Sequence, residues 1–226
     1  MRIEPLGDSA LLVRVVEEFE AEKSLDAVLR ATRQLEVAQI RGVLDLAPAY
    51  TTIGVFIDPA TIGTFGELRA TIERALERKV DSAPSRTAVT IEVPVCYEDE
   101  FAFDLDEVAR RAALSPDEVI RRHAEASYLV SCVGSTPGYP YLSGLPPELA
   151  TPRRASPRKE IPAGSVAIGG TQTGIYPRKS PGGWNVIGRT PLHLFDVERN
   201  PPALFQAGDR VRFRKISRQE FDSFSA

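Results

Sequence analysis

The chain has 226 residues, of which 42% are hydrophobic and 26% are charged, and its formal net charge at pH 7 is −3. These values are close to the averages for globular proteins and exclude a disordered, collagen-like or coiled-coil chain. The negative balance argues against general nucleic-acid binding, and no apolar run reaches the roughly 18 residues that a membrane span requires. The N-terminal residues lack the regions of a secretory signal, so we expect a cytoplasmic protein without nucleic-acid or membrane partners.

The first part of the chain predicts strands that alternate with two helices. Residues 10–16 are apolar and rich in β-branched side chains, as in a buried strand. Apolar residues recur at helical spacing between positions 20 and 36, and a strand pair is indicated within residues 43–57. The spacing of Thr64 and Glu67 is typical of a capping box and begins a second amphipathic helix. The predicted order is ββαββα, which describes a small α+β domain.

A polar segment that contains a proline separates this domain from the rest of the chain. We therefore predict two domains, residues 1–83 and 84–226. After the boundary, residues 89–95 alternate like a strand, and N-cap spacing at Asp104 and Ser115 predicts two short helices.

The following region, residues 133–191, holds ten of the 16 glycines and ten of the 18 prolines. Such a composition rules out a long helix and favours short strands joined by turns, as in a small barrel or sandwich. The apolar pieces that predict these strands are residues 165–168, 185–187, 192–195 and, later, 211–216.

Charge is distributed unevenly along the C-terminal part. Residues 92–125 carry ten acids and four arginines, whereas residues 151–191 carry seven bases and one acid. Two interpretations remain open. In the first, the two segments form solvated faces whose opposite charges cancel in the total. In the second, the basic segment forms an anion site.

Standard catalytic and metal-binding motifs are absent from the sequence. It contains no Walker A loop, nucleophile elbow or His-Glu-x-x-His pattern, and its two cysteines and two histidines do not have the spacing of a metal site. His123 falls within a charged helical segment, which predicts a solvated side chain. His193 falls within an apolar stretch, which predicts a core residue.

Glycine-rich turns beside arginines are the feature that most suggests a ligand. Gly170 and Gly174 flank a short polar run, and glycine allows backbone N–H groups to approach a carboxylate or phosphate closely. Arg153 and Arg158 can add bidentate donors. The side chains expected to orient a ligand there are Gln172, Thr173, Tyr176, Trp184 and Asn185. The alternative is that these glycines only turn a tightly wound barrel.

The same region resembles a known family. The strings Ile-Pro-Ala-Gly-Ser-Val-Ala-Ile at 161–168, Gln-Thr-Gly-Ile-Tyr-Pro at 172–177 and Ser-Pro-Gly-Gly-Trp-Asn-Val-Ile-Gly-Arg-Thr-Pro at 180–191 are similar to those of the B subunit of 5-oxoprolinase. That family includes the sporulation-kinase inhibitor and allophanate hydrolase subunit 1, and it corresponds to carboxyltransferase subdomains C and D. The resemblance extends nearly end to end and implies a small ββαββα domain followed by a cyclophilin-like β-barrel.

The resemblance implies an ATP-dependent 5-oxoprolinase that opens 5-oxoproline to glutamate. This chain would act as the B subunit with a larger C subunit and an A subunit, and ATP would be bound by, or shared with, a partner. Two other functions stay open: a module that inhibits a sensor histidine kinase, and half of a biotin-dependent carboxyltransferase acting on urea or a related amide. Assembly as a homo-oligomer also stays open.

On this resemblance, Arg153 and Arg158 are assigned to anion binding, and Gln172 and Thr173 to amide or phosphate contacts. Tyr176 and Trp184 would wall the pocket. A second loop that resembles the family runs through Gly134, Pro137, Gly138 and Tyr139. Within it Ser135 stands where family members often carry an aromatic residue, which removes a large apolar group from the pocket rim or the partner face.

Overall fold

The computed structural model describes residues 1–78 and 88–224, and the chain divides into two compact units, Met1–Ala88 and Val89–Ala226. The boundary predicted between residues 83 and 84 lies outside the described residues. Each unit contains its own hydrophobic core.

The N-terminal unit is a four-stranded antiparallel sheet with two helices packed on one face. Its elements are β1 (Arg2–Pro5), β2 (Ala10–Arg14), α1 (Ala21–Ala38), β3 (Val43–Ala49), β4 (Thr52–Ile57) and α2 (Phe65–Glu77). The strand order is β1-β2-β4-β3, and the elements follow the chain in the predicted order ββαββα. Alternate strand residues such as Val13 and Ile53 meet the apolar stripes of the helices at Val28 and Ile72, and all four are fully buried.

The start of α2 confirms the predicted capping box. Thr64 accepts a hydrogen bond from the Glu67 N–H at 3.2 Å, and the Glu67 carboxylate accepts one from the Thr64 N–H at 2.8 Å. Two of the otherwise unpaired N–H groups at the start of the helix are thereby satisfied.

The C-terminal unit contains nine strands and three α-helices among its described residues. These are β5 (Thr90–Cys96), α3 (Leu105–Ala112), α4 (Pro116–Glu125), β6 (Ser127–Val133), β7 (Pro140–Ser143), β8 (Arg158–Ile161), β9 (Ser165–Gly169), β10 (Gln172–Ile175), β11 (Ser180–Gly182), β12 (Asn185–Arg189), β13 (Arg210–Ile216) and α5 (Arg218–Ser223). Seven strands close into a barrel in the order β10-β7-β6-β13-β5-β12-β9, while β8 pairs with β11 separately. The α+β class with a C-terminal barrel is therefore confirmed.

One predicted strand is wrong. Residues 192–195 do not form a strand, and within them only Phe195 makes an isolated bridge, to Ala203. The apolar residues of this stretch have a different role, since Leu194 is buried in the barrel core.

Successive side chains of the barrel strands point alternately to the interior and to the outer face of the barrel. Leu142, Ile168 and Ile187 face the interior and are fully buried in the barrel core. Their neighbours in sequence, such as Tyr141 and Ala167, belong to a second, smaller apolar cluster on the outer face. In the part of the chain that the structure describes, no helix is long and apolar enough to span a membrane.

Candidate functional site

Four aromatic rings pack together on the outer face of β7, β10 and β9. This aromatic cluster consists of Tyr139, Tyr141, Tyr176 and Trp184. Tyr139 meets Tyr176 edge to face with ring centroids 5.2 Å apart, and Trp184 lies 5.9 Å from both Tyr139 and Tyr141. Edge-to-face contacts are an arrangement that aromatic quadrupoles favour.

The glycines of this region make room for the rings. A β-carbon at Gly169 would overlap the Trp184 indole, and one at Gly174 would lie 2.7 Å from the Tyr139 hydroxyl oxygen. Gly170 differs from both, because it has a positive φ of 66° and nothing within 4 Å of a β-carbon position. Its N–H donates to the Thr151 carbonyl at 2.7 Å. Gly169 and Gly174 therefore permit close ring packing, and Gly170 turns the chain.

Arg153 is the basic residue that lies on the aromatic cluster. Its guanidinium carbon is 5.8 Å from the Trp184 ring centroid, and the residue is exposed. The residues on either side are fixed, since the Pro152 carbonyl accepts from Asn185 Nδ2 at 2.9 Å and the Arg154 N–H donates to the Gly183 carbonyl at 2.8 Å. The contact has the geometry of a cation–π interaction and leaves guanidinium donors open to solvent.

Tyr176 places a protonated hydroxyl group within the aromatic cluster. Burial raises the pKa of Tyr176 above its ordinary value, and a hydrogen bond with the Trp184 backbone and, less strongly, the positive charge of Arg153 offset this only in part. The phenol therefore stays protonated at neutral pH and keeps its ability to donate a hydrogen bond.

Arg158 has a carboxylate partner inside the protein. Asp104 Oδ2 lies 2.6 Å from Arg158 Nη1, and Asp104 Oδ1 lies 2.9 Å from Arg158 Nη2 and 2.6 Å from Arg154 Nη1. Asp104 belongs to the acidic segment and both arginines to the basic segment. The two segments of opposite charge thus meet in an ion-pair cluster, an arrangement that neither sequence interpretation contained.

Thr173 and Asn185 form hydrogen bonds within the barrel wall. Thr173 is fully buried and donates from Oγ1 to the Ala167 carbonyl at 3.0 Å. Asn185 Nδ2 also donates to the Ile168 carbonyl at 3.2 Å, in addition to Pro152. Gln172 is half-buried at the start of β10, close to the exposed Gly170. Of the three polar side chains at positions 172, 173 and 185, Gln172 is the one with access to solvent.

His123 is buried in the barrel, which contradicts its predicted surface position. Because Thr173 Oγ1 uses its hydrogen on Ala167, it accepts from His123 Nε2–H at 3.1 Å, and His123 Nδ1 accepts from the Tyr97 hydroxyl at 2.9 Å. The ring also stacks on Phe213 with centroids 4.5 Å apart. Burial lowers the pKa of His123 to about 3, so the imidazole is neutral.

The prediction for the other histidine is also wrong, because His193 is exposed rather than buried. For His123, the helix that carries it explains the difference. α4 buries Val119, Ile120 and His123 while its arginines and glutamates cover the outer side. Spacing of His123 from Val119 and Ile120 by four and three residues is the sequence signal that places all three on one face.

The loop before β7 delivers Tyr139 to the aromatic cluster. Gly138 has a φ of 81°, and a β-carbon there would lie 2.8 Å from Phe195 Cβ. The Gly134 N–H donates to the Tyr139 carbonyl at 3.1 Å and closes the loop. Pro137 and Ser135 are exposed at its tip, and Ser135 has a left-handed φ of 65°.

The aromatic cluster is packed rather than hollow. Tyr139, Tyr176 and Trp184 are each 5 or 6% exposed. Two clefts elsewhere on the described residues, about 540 Å³ in the N-terminal unit beside Arg41 and about 510 Å³ in the C-terminal unit beside Glu98, contain none of the predicted site residues. A ligand at the cluster would therefore lie on its exposed edge, where Arg153 lies over Trp184.

The chain is similar to a known family along most of its length. Residues 1–205 match the family described as carboxyltransferase domain, subdomain C and D. The chain is 40% identical to the B subunit of 5-oxoprolinase from Bacillus subtilis over 99% of this chain and 96% of that protein. It is 39% identical to the B subunit of 5-oxoprolinase from Haemophilus influenzae over 94% of this chain and 97% of that one.

Solved structures show the same architecture. The crystal structure of TTHA0988 matches with a TM-score of 0.77 and 36% identity, covering 92% of this chain and 40% of that larger one. Urea carboxylase of Kluyveromyces lactis matches with a TM-score of 0.78 over 98% of this chain and 22% of its own length, at 22% identity. At 22% identity, the similarity to urea carboxylase shows a shared fold and nothing more.

Proposed function

Because the chain belongs to the 5-oxoprolinase B-subunit family, within the family of carboxyltransferase subdomains C and D, we propose that it is the B subunit of an ATP-dependent 5-oxoprolinase. It would act with a larger C subunit and an A subunit to open 5-oxoproline to glutamate. The observation that carries the proposal is the 40% identity to a protein of that name over nearly the full length of both chains.

The geometry supports a role in binding the substrate carboxylate. 5-Oxoproline combines a carboxylate with a cyclic amide, and a guanidinium is the side chain best suited to a carboxylate. Arg153 presents its donors at the rim of the aromatic cluster, over Trp184. We assign the carboxylate to Arg153 and contacts with the cyclic amide to Gln172, with Trp184 and Tyr176 as the apolar wall beside them.

The remaining predicted residues would support this site from beneath. Arg158 pairs with Asp104, and Thr173 and Asn185 hydrogen-bond to the barrel backbone. In the proposal they hold the strands that carry the aromatic cluster. The Gly170 N–H is bonded to Thr151, so the glycine turn shapes the rim rather than donating to an anion.

No residue of this chain is assigned to a magnesium–nucleotide site, because nothing in the described residues marks the one or two carboxylates that such a site needs beside the phosphate oxygens. Residues 1–78 and 88–224 contain no group of three or more His, Cys, Asp or Glu side chains placed to hold a metal ion. The sequence also lacks a Walker A loop to cradle phosphates. We propose that ATP and its metal ion are bound by, or shared with, a partner subunit, and we derive no step for them from this chain.

A packed cluster at the surface also favours a composite site. In the proposal Arg153 and Gln172 contact the ligand from one side, and a ligand as small as 5-oxoproline would need a second surface to exclude water. A partner protein seated against the rim would supply that surface.

Reconstitution tests the proposal. The tagged chain is purified with candidate A and C subunits, and ADP and glutamate are measured with and without 5-oxoproline. We expect 5-oxoproline-dependent formation of both products by the complete complex and none when this chain is omitted. ADP and glutamate formation that does not depend on this chain contradicts the proposal.

The second candidate is a carboxyltransferase half. It is favoured by the family description and by 29% identity over 127 residues to a putative urea carboxylase of Emericella nidulans. Transfer of labelled carboxylate from a biotinylated partner to urea, without 5-oxoproline-dependent ADP release, would select this second function.

A further inference from the structure

We propose that Asp104 is the positioning residue that holds Arg153 against Trp184. The effect on catalysis rests on the function proposed above, whereas the effect on Trp184 can be measured on the isolated chain. In this proposal Asp104 does not contact the substrate and acts through the segment that carries Arg153.

Asp104 is a buried carboxylate with an unusually complete set of partners. It is 4% exposed and accepts hydrogen bonds from Arg154 Nη1, from Arg158 Nη1 and Nη2, and from the Val186 N–H at 2.8 Å. Its own N–H donates to the Val186 carbonyl at 2.8 Å. A buried charge is tolerated when it is paired and hydrogen-bonded in this way, and removing its charge leaves two guanidinium groups without their counter-ion.

The same carboxylate is diverted from capping its own helix. Asp104 occupies the N-cap position of α3, but its side chain makes no hydrogen bond to the first turn. An aspartate at this position ordinarily accepts from the second or third helical N–H. The sequence therefore predicts the position correctly and the contact wrongly, since the carboxylate binds the arginines and β12 instead.

Both segments that form the Arg153–Trp184 contact are bonded to this carboxylate. We call residues 151–158 the arginine strap. The strap is bonded to Gly170 at Thr151 and to Gly183 at the Arg154 N–H, and two of its three guanidinium groups, at positions 154 and 158, converge on Asp104. Arg153 precedes one of these anchors directly.

The ring side of the contact is tied to the same residue. Val186, which exchanges two hydrogen bonds with Asp104, follows Trp184 by two residues at the start of β12. Asp104 therefore fixes the arginine strap and the start of β12 relative to each other. Loss of its charge should release Arg153 from the indole while the barrel interior, which Asp104 does not line, stays packed.

Trp184 reports the outcome because it is the only tryptophan in the chain. The experiment compares the emission of the parent, Asp104→Asn, Arg153→Ala and Glu107→Gln. Glu107 is the matched control, since it lies in α3 and pairs with Arg110 and Arg111 on the surface. We expect Arg153→Ala to shift Trp184 emission to longer wavelength by exposing the indole to water, Asp104→Asn to reproduce most of that shift, and Glu107→Gln to match the parent.

A double variant separates positioning from general destabilisation. If Asp104 acts through Arg153, adding Asp104→Asn to Arg153→Ala produces no further shift, because contacts that work as a unit are not additive. An additive shift, or a folded Asp104→Asn protein with the parent spectrum, would overturn the proposal. If Asp104→Asn does not fold, Arg154→Gln replaces it, because this variant leaves the carboxylate paired with Arg158. A shift of Trp184 emission to longer wavelength in Arg154→Gln supports the proposal, and the parent spectrum contradicts it.

Kinetics of the reconstituted complex give the second readout. We expect Asp104→Asn to raise KM for 5-oxoproline about tenfold, as loss of a charged hydrogen bond does, with kcat little changed. Suppose that Asp104→Asn shifts the Trp184 spectrum but that no complex, including the one with the parent chain, shows 5-oxoproline-dependent activity. That result contradicts the proposed function and still supports the positioning role of Asp104. A lowered kcat with unchanged KM contradicts positioning of the substrate carboxylate.

Discussion

Among individual residues, the two histidines show how a linear sequence can mislead. The charged neighbours of His123 cover the outer side of its helix, while the imidazole joins Tyr97 and Thr173 in the core. Charge composition predicts the average environment of a segment, whereas the face of a helix decides the environment of one side chain. The sequence also indicates Tyr139, Tyr176 and Trp184 as site residues but not Tyr141, and their packing on glycines depends on the strand register.

His123 gives the protein a specific dependence of stability on pH. An unfolded histidine binds its proton near pH 6.5, whereas burial lowers the pKa of folded His123 to about 3. Between these values the unfolded chain binds more protons, so stability is full above pH 6.5 and falls as the pH decreases. We expect a loss of about 1.4 kcal/mol per pH unit from this group between about pH 6 and 4.5, measured by urea unfolding.

The second histidine provides the control. His123→Gln can keep hydrogen bonds to Tyr97 and Thr173 without a titrating group, so its stability should be flatter over the same range. His193→Gln should retain the slope of the parent, because His193 is exposed. Equal slopes for His123→Gln and the parent would show that His123 is not the group responsible.

Substitution of Gly174 tests whether β10 lacks a side chain at this position to make room for Tyr139. A methyl group there would press on the Tyr139 ring and lie 3.0 Å from the Pro140 carbonyl oxygen. We expect Gly174→Ala to lower the free energy of unfolding by about 1–3 kcal/mol through overpacking, measured by urea unfolding with Trp184 emission as the signal. Gly134→Ala is the control, since its nearest contact is Cys132 Sγ at 3.8 Å, and it should be near neutral. Equal effects of the two substitutions would contradict the packing role.

Among the helices and strands, the sequence predicts helix ends correctly where the cap is local. Ser115 accepts from the Glu118 N–H at 3.2 Å with Pro116 in the first turn, as the sequence indicates. Asp104 has similar spacing, yet its carboxylate binds arginines 50 and 54 residues away. Local rules give the position of a cap, but a distant partner that offers stronger hydrogen bonds changes what the side chain does.

The α4 cap carries a prediction of its own. Ser115→Ala removes the acceptor for the first turn of the helix that buries His123, so we expect a loss of about 1 kcal/mol in the free energy of unfolding. Ser115→Asp keeps an acceptor at the same position and should remain within a few tenths of a kcal/mol of the parent. The measurement is chemical unfolding followed by Trp184 emission. A similar loss in both variants would mean that the hydroxyl does not act as a cap.

For the molecule as a whole, the architecture follows from the sequence far better than the site does. The ββαββα unit and the turn-rich barrel follow from hydrophobic periodicity and from the resemblance. The pairing of the acidic and basic segments through Asp104 could not be predicted, because it depends on which loops the barrel topology brings together. Two arginines of the basic segment, Arg154 and Arg158, are consequently occupied by Asp104, so fewer positive charges can bind an external anion than the sum of charges indicates. Arg153 differs from them, because it is exposed and lies over Trp184.

The proposed site depends above all on Arg153 receiving the substrate carboxylate at the rim of the aromatic cluster. The decisive comparison is of KM and kcat for 5-oxoproline in complexes containing the parent, Arg153→Ala or Arg178→Ala, where Arg178 is an exposed arginine of the same basic segment. We predict that Arg153→Ala raises KM about tenfold or more with little change in kcat, and that Arg178→Ala matches the parent. An unchanged KM in Arg153→Ala, or the same increase in both variants, would contradict this role.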